Sequence, residues 1–183
     1  MRDARVVVLG MMGRTPFAGV AWQVLHYLEG LRRLNCDVHY VEDTGDWPYD
    51  AERNTITDDP RYTVAYIGRL LEWMGLPDRW AYVGPDGEPH GPAAPRLPGL
   101  YVQADALINL TGATVLHDEQ LAVPLRLYVE TDPVLPQIEI ALGRQFTRDL
   151  LAAHTHHFSY GENLGAPDCP VPVDTVPEYA VCS

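Results

Sequence analysis

Residues 6–34 read VVVLGMMGRTPFAGVAWQVLHYLEGLRRL. The opening run is continuous, apolar and β-branched, as in a strand covered on both faces of a parallel sheet, and it predicts a strand over Arg5–Gly10. From Gly19 to Leu34 the period changes. Val20, Val24, Leu28, Leu31 and Leu34 recur three and four residues apart, and Ala21 and Tyr27 widen the stripe, which predicts an amphipathic helix. Asn35 is a left-handed stop, and DVHYVE, Asp37–Glu42, is a second strand. Strand, helix and strand form a βαβ unit, for which a right-handed crossover is expected.

The pattern repeats outward from this unit. A long polar and aromatic loop, DTGDWPYDAERNTITDD, leads to Asp59-Pro60, an N-cap with proline in the first turn. The helix that follows carries Tyr62, Tyr66, Ile67, Leu70, Leu71 and Met74 on its apolar face and stops at Gly75. RWAYVG (Arg79–Gly84) reads as a short strand, and the Pro/Gly-rich run from Pro85 as a lid or insertion. DALINL (Asp105–Leu110), LRLYVE (Leu125–Glu130) and THHFSY (Thr155–Tyr160, the last) read as strands. Helical stretches lie near Asp118–Ala122 and from Leu135 to Ala153. The expected fold class is α/β, a doubly wound, mostly parallel Rossmann-like sheet. Residues 1–165 form the domain, and 166–183 an extended, Pro-rich tail or linker.

Composition narrows the function. The chain has 183 residues, enough for one domain. Its net charge is −12, and arginine supplies all the positive charge because there is no lysine. The arginines are scattered, so neither nucleic acid nor an anionic membrane is an expected partner. No apolar run approaches the roughly 18–20 residues that cross a bilayer. The N-terminus enters a strand without a signal-peptide cleavage region, so a cytoplasmic location is expected. Cys36, Cys169 and Cys182 fit neither a disulfide framework nor a zinc knuckle and read as reduced structural thiols. Abundant Arg, Ala, Gly and Pro without lysine is also what GC-rich bacterial coding produces.

Ligands of such sheets bind beyond the carboxyl ends of the strands. The first such end holds Gly10, Gly13 and Gly19. Their spacing is neither the dinucleotide fingerprint nor a P-loop, and the missing lysine excludes Walker-type phosphoryl transfer. The glycines still permit bare amides at a helix start, suited to an anion or a sugar-like group; a plain tight turn is the alternative. Arg14 is a phosphate or carboxylate clamp, or a solvated side chain. Glu42 and Asp43 end the second strand, where an acid grips a ribose in dinucleotide-binding folds; a solvated strand end is equally consistent.

In YVETDP, Tyr128–Pro133, Glu130 and Asp132 share one side of the strand end. Such a pair raises one pKa and suits acid–base work, unless Asp132 only caps the next helix. Thr111 and Gly112 close the preceding strand. Among His154, His156 and His157, a neutral imidazole, with His156 the candidate, contacts a hydroxyl or acts as base. No carboxylate lies at ligand spacing beside these histidines, so no metal is expected. Gly161, Glu162 and Asn163 follow the last strand as a hydroxyl- or phosphate-binding turn. Trp47, beside Pro48 and Tyr49 in the long loop, is placed to stack on a sugar.

LGMMGRTPFAGVAWQVLHYLEGLRRLNCDVHYVED resembles the start of a glycosyltransferase of the GT-B type. The further segments VEDTGDWPYD, NTITDD, DRWAY, LINLTGAT, YVETDP and YGENLGAPDC are similar to a family of bacterial glycosyltransferase-like proteins without assigned substrates. The resemblance spans nearly the whole chain. It implies a Rossmann-like acceptor-side half, with Gly10, Gly13 and Gly19 facing a cleft, and a second half that holds a sugar-nucleotide donor. It implies no tightly bound cofactor, a small-molecule acceptor, and a second-half domain or another copy of the chain as partner. The family's first-half base is often a histidine or an acid. The opening loop here has no histidine, and the first, His26, lies mid-helix. Asp43, Glu130 and Asp132 are therefore the catalytic candidates. A non-catalytic binding or assembly module and an NAD(P)-dependent Rossmann enzyme are the alternatives.

Overall fold

The computed structural model describes residues 3–173 and the backbone of 179–181. Seven strands run parallel: β1 (Arg5–Leu9), β2 (Asp37–Glu42), β5 (Trp80–Val83), β7 (Ala106–Leu110), β8 (Leu125–Glu130), β9 (His156–Ser159) and β10 (Tyr179–Val181). A two-residue strand, β6 (Pro89–His90), closes one edge antiparallel to β5. The sheet order is β10-β9-β8-β7-β1-β2-β5-β6. Read along the chain this is the Rossmann order 3-2-1-4-5-6, extended by one strand, and it reverses between β1 and β7.

Alternation along β1 builds two cores. Val6 and Val8 face α1 (Ala18–Arg33) and α2 (Arg61–Trp73), packing with Val24, Leu28, Ile67 and Leu71. Val7 and Leu9 face α3 (Leu97–Gln103), packing with Leu97, Leu100 and Tyr101. On the α3 side, Tyr128 packs with Ile140 of α5 (Leu135–Ala141) and Leu151 of α6 (Gln145–Ala152). The short α4 (Asp118–Leu121) precedes β8. Fully burying one such aliphatic or aromatic side chain contributes about 1.5–3 kcal/mol, so the two faces supply most of the driving force.

Local signals act as the sequence predicts. Asn35 adopts φ 60° after α1, and Gly75 adopts φ 73° after α2. The Asp59 carboxylate accepts the Arg61 N–H at 3.1 Å at the start of α2. Gly143, with φ 78°, splits the predicted 135–153 helix into α5 and α6.

Three expectations are corrected. The Pro/Gly-rich run is no lid: Ala93 and Leu97 are buried in the second core, and α3 begins inside the run because proline is tolerated in a first helical turn. The long loop contains a hairpin of β3 (Tyr49–Asp50) and β4 (Thr55–Ile56), tied to the glycine loop by the Tyr49 N–H and the Arg14 carbonyl, 3.0 Å apart. Thr155–Tyr160 is not the last strand, because residues 179–181 of the expected tail pair with β9, Tyr179 opposite His157. Cys36 and Cys169 are free thiols; Cys182 lies outside the described residues. Among the described residues no helix is long and apolar enough to cross a membrane.

Candidate functional site

At the strand-order reversal, between the start of α1 and the ends of β7 and β8, lies an open cleft of about 570 Å³. Its walls include Arg14, Gly19, Thr111, Gly112, Glu130 and Asp132 from the predicted site. Gln23, Thr44, Asp46 and Thr131 add polar groups, and Met11, Tyr128, Leu135 and Phe146 add apolar surface. The position is the one where an open α/β sheet leaves a crevice.

The glycine loop itself is not bare. Glu42, fully buried, accepts the Gly13 N–H at 2.7 Å and the Arg14 N–H at 2.5 Å. The Tyr40 hydroxyl donates to Glu42 at 2.6 Å and accepts the Met12 N–H at 3.2 Å. These amides are saturated from within, which corrects the expectation of open donors around Gly13. Burial pushes the Glu42 carboxyl up to about 7, against donors that favour its ionised form. Nor is Glu42 free to grip a ribose. Gly13 is a close-approach glycine: a Cβ there would lie 2.6 Å from Ile67 Cδ1 and 2.7 Å from Thr63 Cγ2. Gly10 likewise abuts Val24 and Tyr40. Both glycines serve packing rather than the cleft wall.

What stays open is the first turn of α1. Its leading N–H groups precede the first i→i−4 bond, Ala21 N–H to the Phe17 carbonyl at 3.0 Å. No side chain caps this end and no acidic residue stands in its first turn, so its partial positive charge faces the cleft at Gly19 and Val20. Arg14 stands beside it, paired with Asp46 at 2.9 Å, both side chains more than a third exposed.

The opposite wall is acidic and rigidly built. Glu130 is 1% exposed. Gln137 Nε2 donates to its Oε1 at 2.9 Å and its Oε2 at 3.1 Å, and the Ser159 hydroxyl donates to Oε2. Gln137 Oε1 in turn accepts the Val134 N–H at 2.7 Å, and the Gly161 N–H donates to Ser159 Oγ at 3.0 Å. Burial raises the Glu130 carboxyl, the two donors oppose this, and Asp132 adds to the rise. The expected effect of the acidic pair is present, but desolvation is the larger cause.

Backbone strain concentrates here. Four non-glycine residues have positive φ among the described residues, and two of them, Asn35 and Asn54, are of a type that tolerates it. The other two, Thr111 (φ 59°) and Val134 (φ 95°), are β-branched and flank the cleft. Such outliers cluster at functional sites. Asn109, buried at the end of β7, fixes the loop after it by holding the Thr114 carbonyl at 2.8 Å and the Thr114 N–H at 3.2 Å. At Gly112, with φ 65°, a Cβ would meet Tyr128 at 2.9 Å and Leu150 at 3.0 Å.

Other predicted residues stand elsewhere. Asp43 faces a separate cavity with His117, whose Nε2 lies 3.7 Å away; burial raises its carboxyl. Trp47 is exposed and outside the cleft wall. His156 begins β9, at the strand-start end of the sheet and away from the cleft, with its Nδ1 3.1 Å from Thr155 Oγ1. His154 and His157 contact the Leu150 and Leu151 carbonyls, each at 2.8 Å. Gly161 packs on Leu164 and Pro133, and Glu162 and Asn163 are exposed beyond it. No group of three or more potential metal ligands occurs among the described residues. Thr44, Asp46 and Thr131 lie in the strand-end segments 42–46 and 130–133, which the sequence marks as the ligand edge, without being singled out there as site residues; Gln23, within α1, was missed.

No protein-family model matches this chain, and a search of curated proteins finds no match.

Proposed function

We propose that the cleft binds a hydroxyl-bearing small molecule and that the chain is the acceptor-side half of a GT-B type glycosyltransferase. The observation that carries this reading is the pairing of walls: an uncapped helix start with Arg14 on one side, and Glu130 in its Gln137–Ser159 frame on the other. Among the described residues Oε1 of Glu130 accepts one hydrogen bond, from Gln137, which leaves acceptor capacity for a ligand hydroxyl. Its raised pKa suits a general base toward that hydroxyl, with Asp132 as a second acceptor at the mouth. The donor, a sugar nucleotide, belongs to a second domain or partner chain. Leu135, Ile138, Leu142 and Phe146 are all exposed beside the cleft, and such a rim is a surface for that partner to cover.

The strand order alone also suits a dinucleotide enzyme. Against it stands the glycine loop, whose amides are held by Glu42 and Tyr40 where a pyrophosphate would need them.

Saturation-transfer NMR on the whole chain tests the reading, with glucose and myo-inositol as polyols, UDP-glucose as a sugar nucleotide, and NADH. The polyols are expected to receive magnetisation, and Glu130→Gln or Asp132→Asn to reduce it. Saturable NADH binding without polyol contact would replace this reading with the oxidoreductase one. Silence from all probes would leave the assembly-module reading in its place.

A further inference from the structure

At the opposite edge of the sheet, where β1, β2 and β5 begin, lies a second cavity of about 480 Å³. One wall carries Arg5, Arg79, Arg96 and His39, and among the described residues no carboxylate lines it. Two acids stand behind the wall. Asp37 pairs with Arg5 at 2.7 Å and with Arg79, and Asp105 accepts the Arg5 backbone N–H at 2.7 Å. Arg96 donates to the Asp78 and Pro92 carbonyls and pairs with no carboxylate among the described residues, so its charge stands uncompensated beside the cavity, in a chain of net charge −12.

His39 sharpens the case. Its side chain is 6% exposed, and its Nδ1 is buried without a hydrogen-bond partner. Nε2 lies 2.8 Å from Arg79 Nη1 and 3.5 Å from Asp37 Oδ1. A guanidinium nitrogen only donates, so the shorter contact makes Nε2 the acceptor and places the ring proton on Nδ1. A buried N–H with no acceptor is destabilising. His39 lines this cavity, and an acceptor bound against its ring, with a small shift of the atoms that cover Nδ1, would satisfy that N–H. Pro95, Pro98 and Leu100 form apolar surface on the same cavity, whose volume suits a small organic ligand rather than a lone ion.

We propose that this cavity binds a phosphate monoester, its phosphoryl oxygens on the arginine and histidine wall and its organic body against the prolines and Leu100. The site is separate from the cleft and does not depend on the glycosyltransferase reading.

Phenyl phosphate is the probe, titrated into the whole chain by calorimetry at fixed ionic strength, with phenol and benzoate as controls. Phenyl phosphate is expected to bind more tightly than either control. Arg96→Met is expected to weaken it roughly tenfold, the worth of one charge-assisted contact. Among the described residues Arg96 donates only to the Asp78 and Pro92 carbonyls, so this variant strands no carboxylate there, and an unchanged melting curve confirms its fold. In ¹⁵N NMR the His39 Nδ1–H resonance is expected to move downfield on binding. Phenyl phosphate binding no tighter than phenol, benzoate binding equally well, or affinity unaltered in Arg96→Met would each overturn the proposal.

Discussion

Two strands of this sheet end in the same letters. β2 ends Tyr40-Val41-Glu42 and β8 ends Tyr128-Val129-Glu130, and both glutamates are buried. Their fates differ because of what the rest of the fold brings to them. At β2 the donors are backbone amides of the glycine loop and the strand's own Tyr40, and the carboxylate becomes a plug. At β8 the donors are the side chains of Gln137 and Ser159, Tyr128 turns its ring toward His154 and His157, and the carboxylate is left on a cleft wall. A strand-end acid therefore does not mark a site by itself. Whether backbone amides or side chains answer it decides whether it is sealed into a loop or set into a cleft wall.

Truncation should separate the two most strongly. Glu42→Ala strands the buried Gly13 amide, the half-buried Arg14 amide and the Tyr40 hydroxyl, and is expected to lower the unfolding free energy by roughly 3–5 kcal/mol. Glu130→Ala leaves the buried Gln137 amide and Ser159 hydroxyl without their acceptor, but these are side chains that can rotate where backbone amides cannot, and roughly half that loss is expected. Urea unfolding with an unchanged m-value measures both. An equal or larger loss at Glu130 would break the comparison.

Titration gives the next effect. Burial holds His39 and His154 down to about 4, so the folded state excludes protons that the unfolded state takes up. Stability is expected to fall as pH drops from about 6.5 to 4, by up to roughly 3 kcal/mol for each histidine. Glu42 works in the opposite sense. Its folded pKa lies above the unfolded one, so its contribution falls as pH rises from about 4.5 to 7. Glu42→Ala should therefore lose stability more steeply on acidification than the parent chain, as followed by thermal melts at stepped pH.

The glycines sharpen the contrast on a smaller scale. Gly13→Ala drives a Cβ into Ile67 and Thr63 and is expected to cost about 1–3 kcal/mol. Gly19→Ala meets nothing within 4 Å and sits in the first turn of α1, so a gain of up to about 0.5–1 kcal/mol is expected. Smallest is Arg14→Ala. Its pair with Asp46 is solvated, and a change below about 0.5 kcal/mol is expected in stability, although an anionic ligand should bind less well.

Much of the fold was legible because hydrophobic period and stop signals are local. Val6–Leu9, the α1 stripe and the positive-φ stop at Asn35 follow from neighbouring residues alone. α3 was hidden because Pro98 and Gly99 masked the spacing of Leu97, Leu100 and Tyr101, and β10 because three residues carry no period. The cleft was half legible. Strand-end placement found Glu130, Asp132, Thr111, Gly112, Arg14 and Gly19. It failed for Gly13, whose amide partner lies 29 residues away in Glu42, and for Asp43, which emerges on a separate cavity. Which face a strand-end side chain serves depends on contacts distant in sequence.

The central claim is that the cleft at the strand-order reversal, and not the glycine loop, receives a hydroxyl-bearing ligand. An amide-resolved NMR titration with myo-inositol tests it most directly. Saturable shifts are expected at Gly19, Thr111, Gly112 and Asp132, with the Gly13 amide unmoved behind Glu42. Shifts centred on Met12, Gly13 and Arg14, or none at the cleft residues, would contradict it.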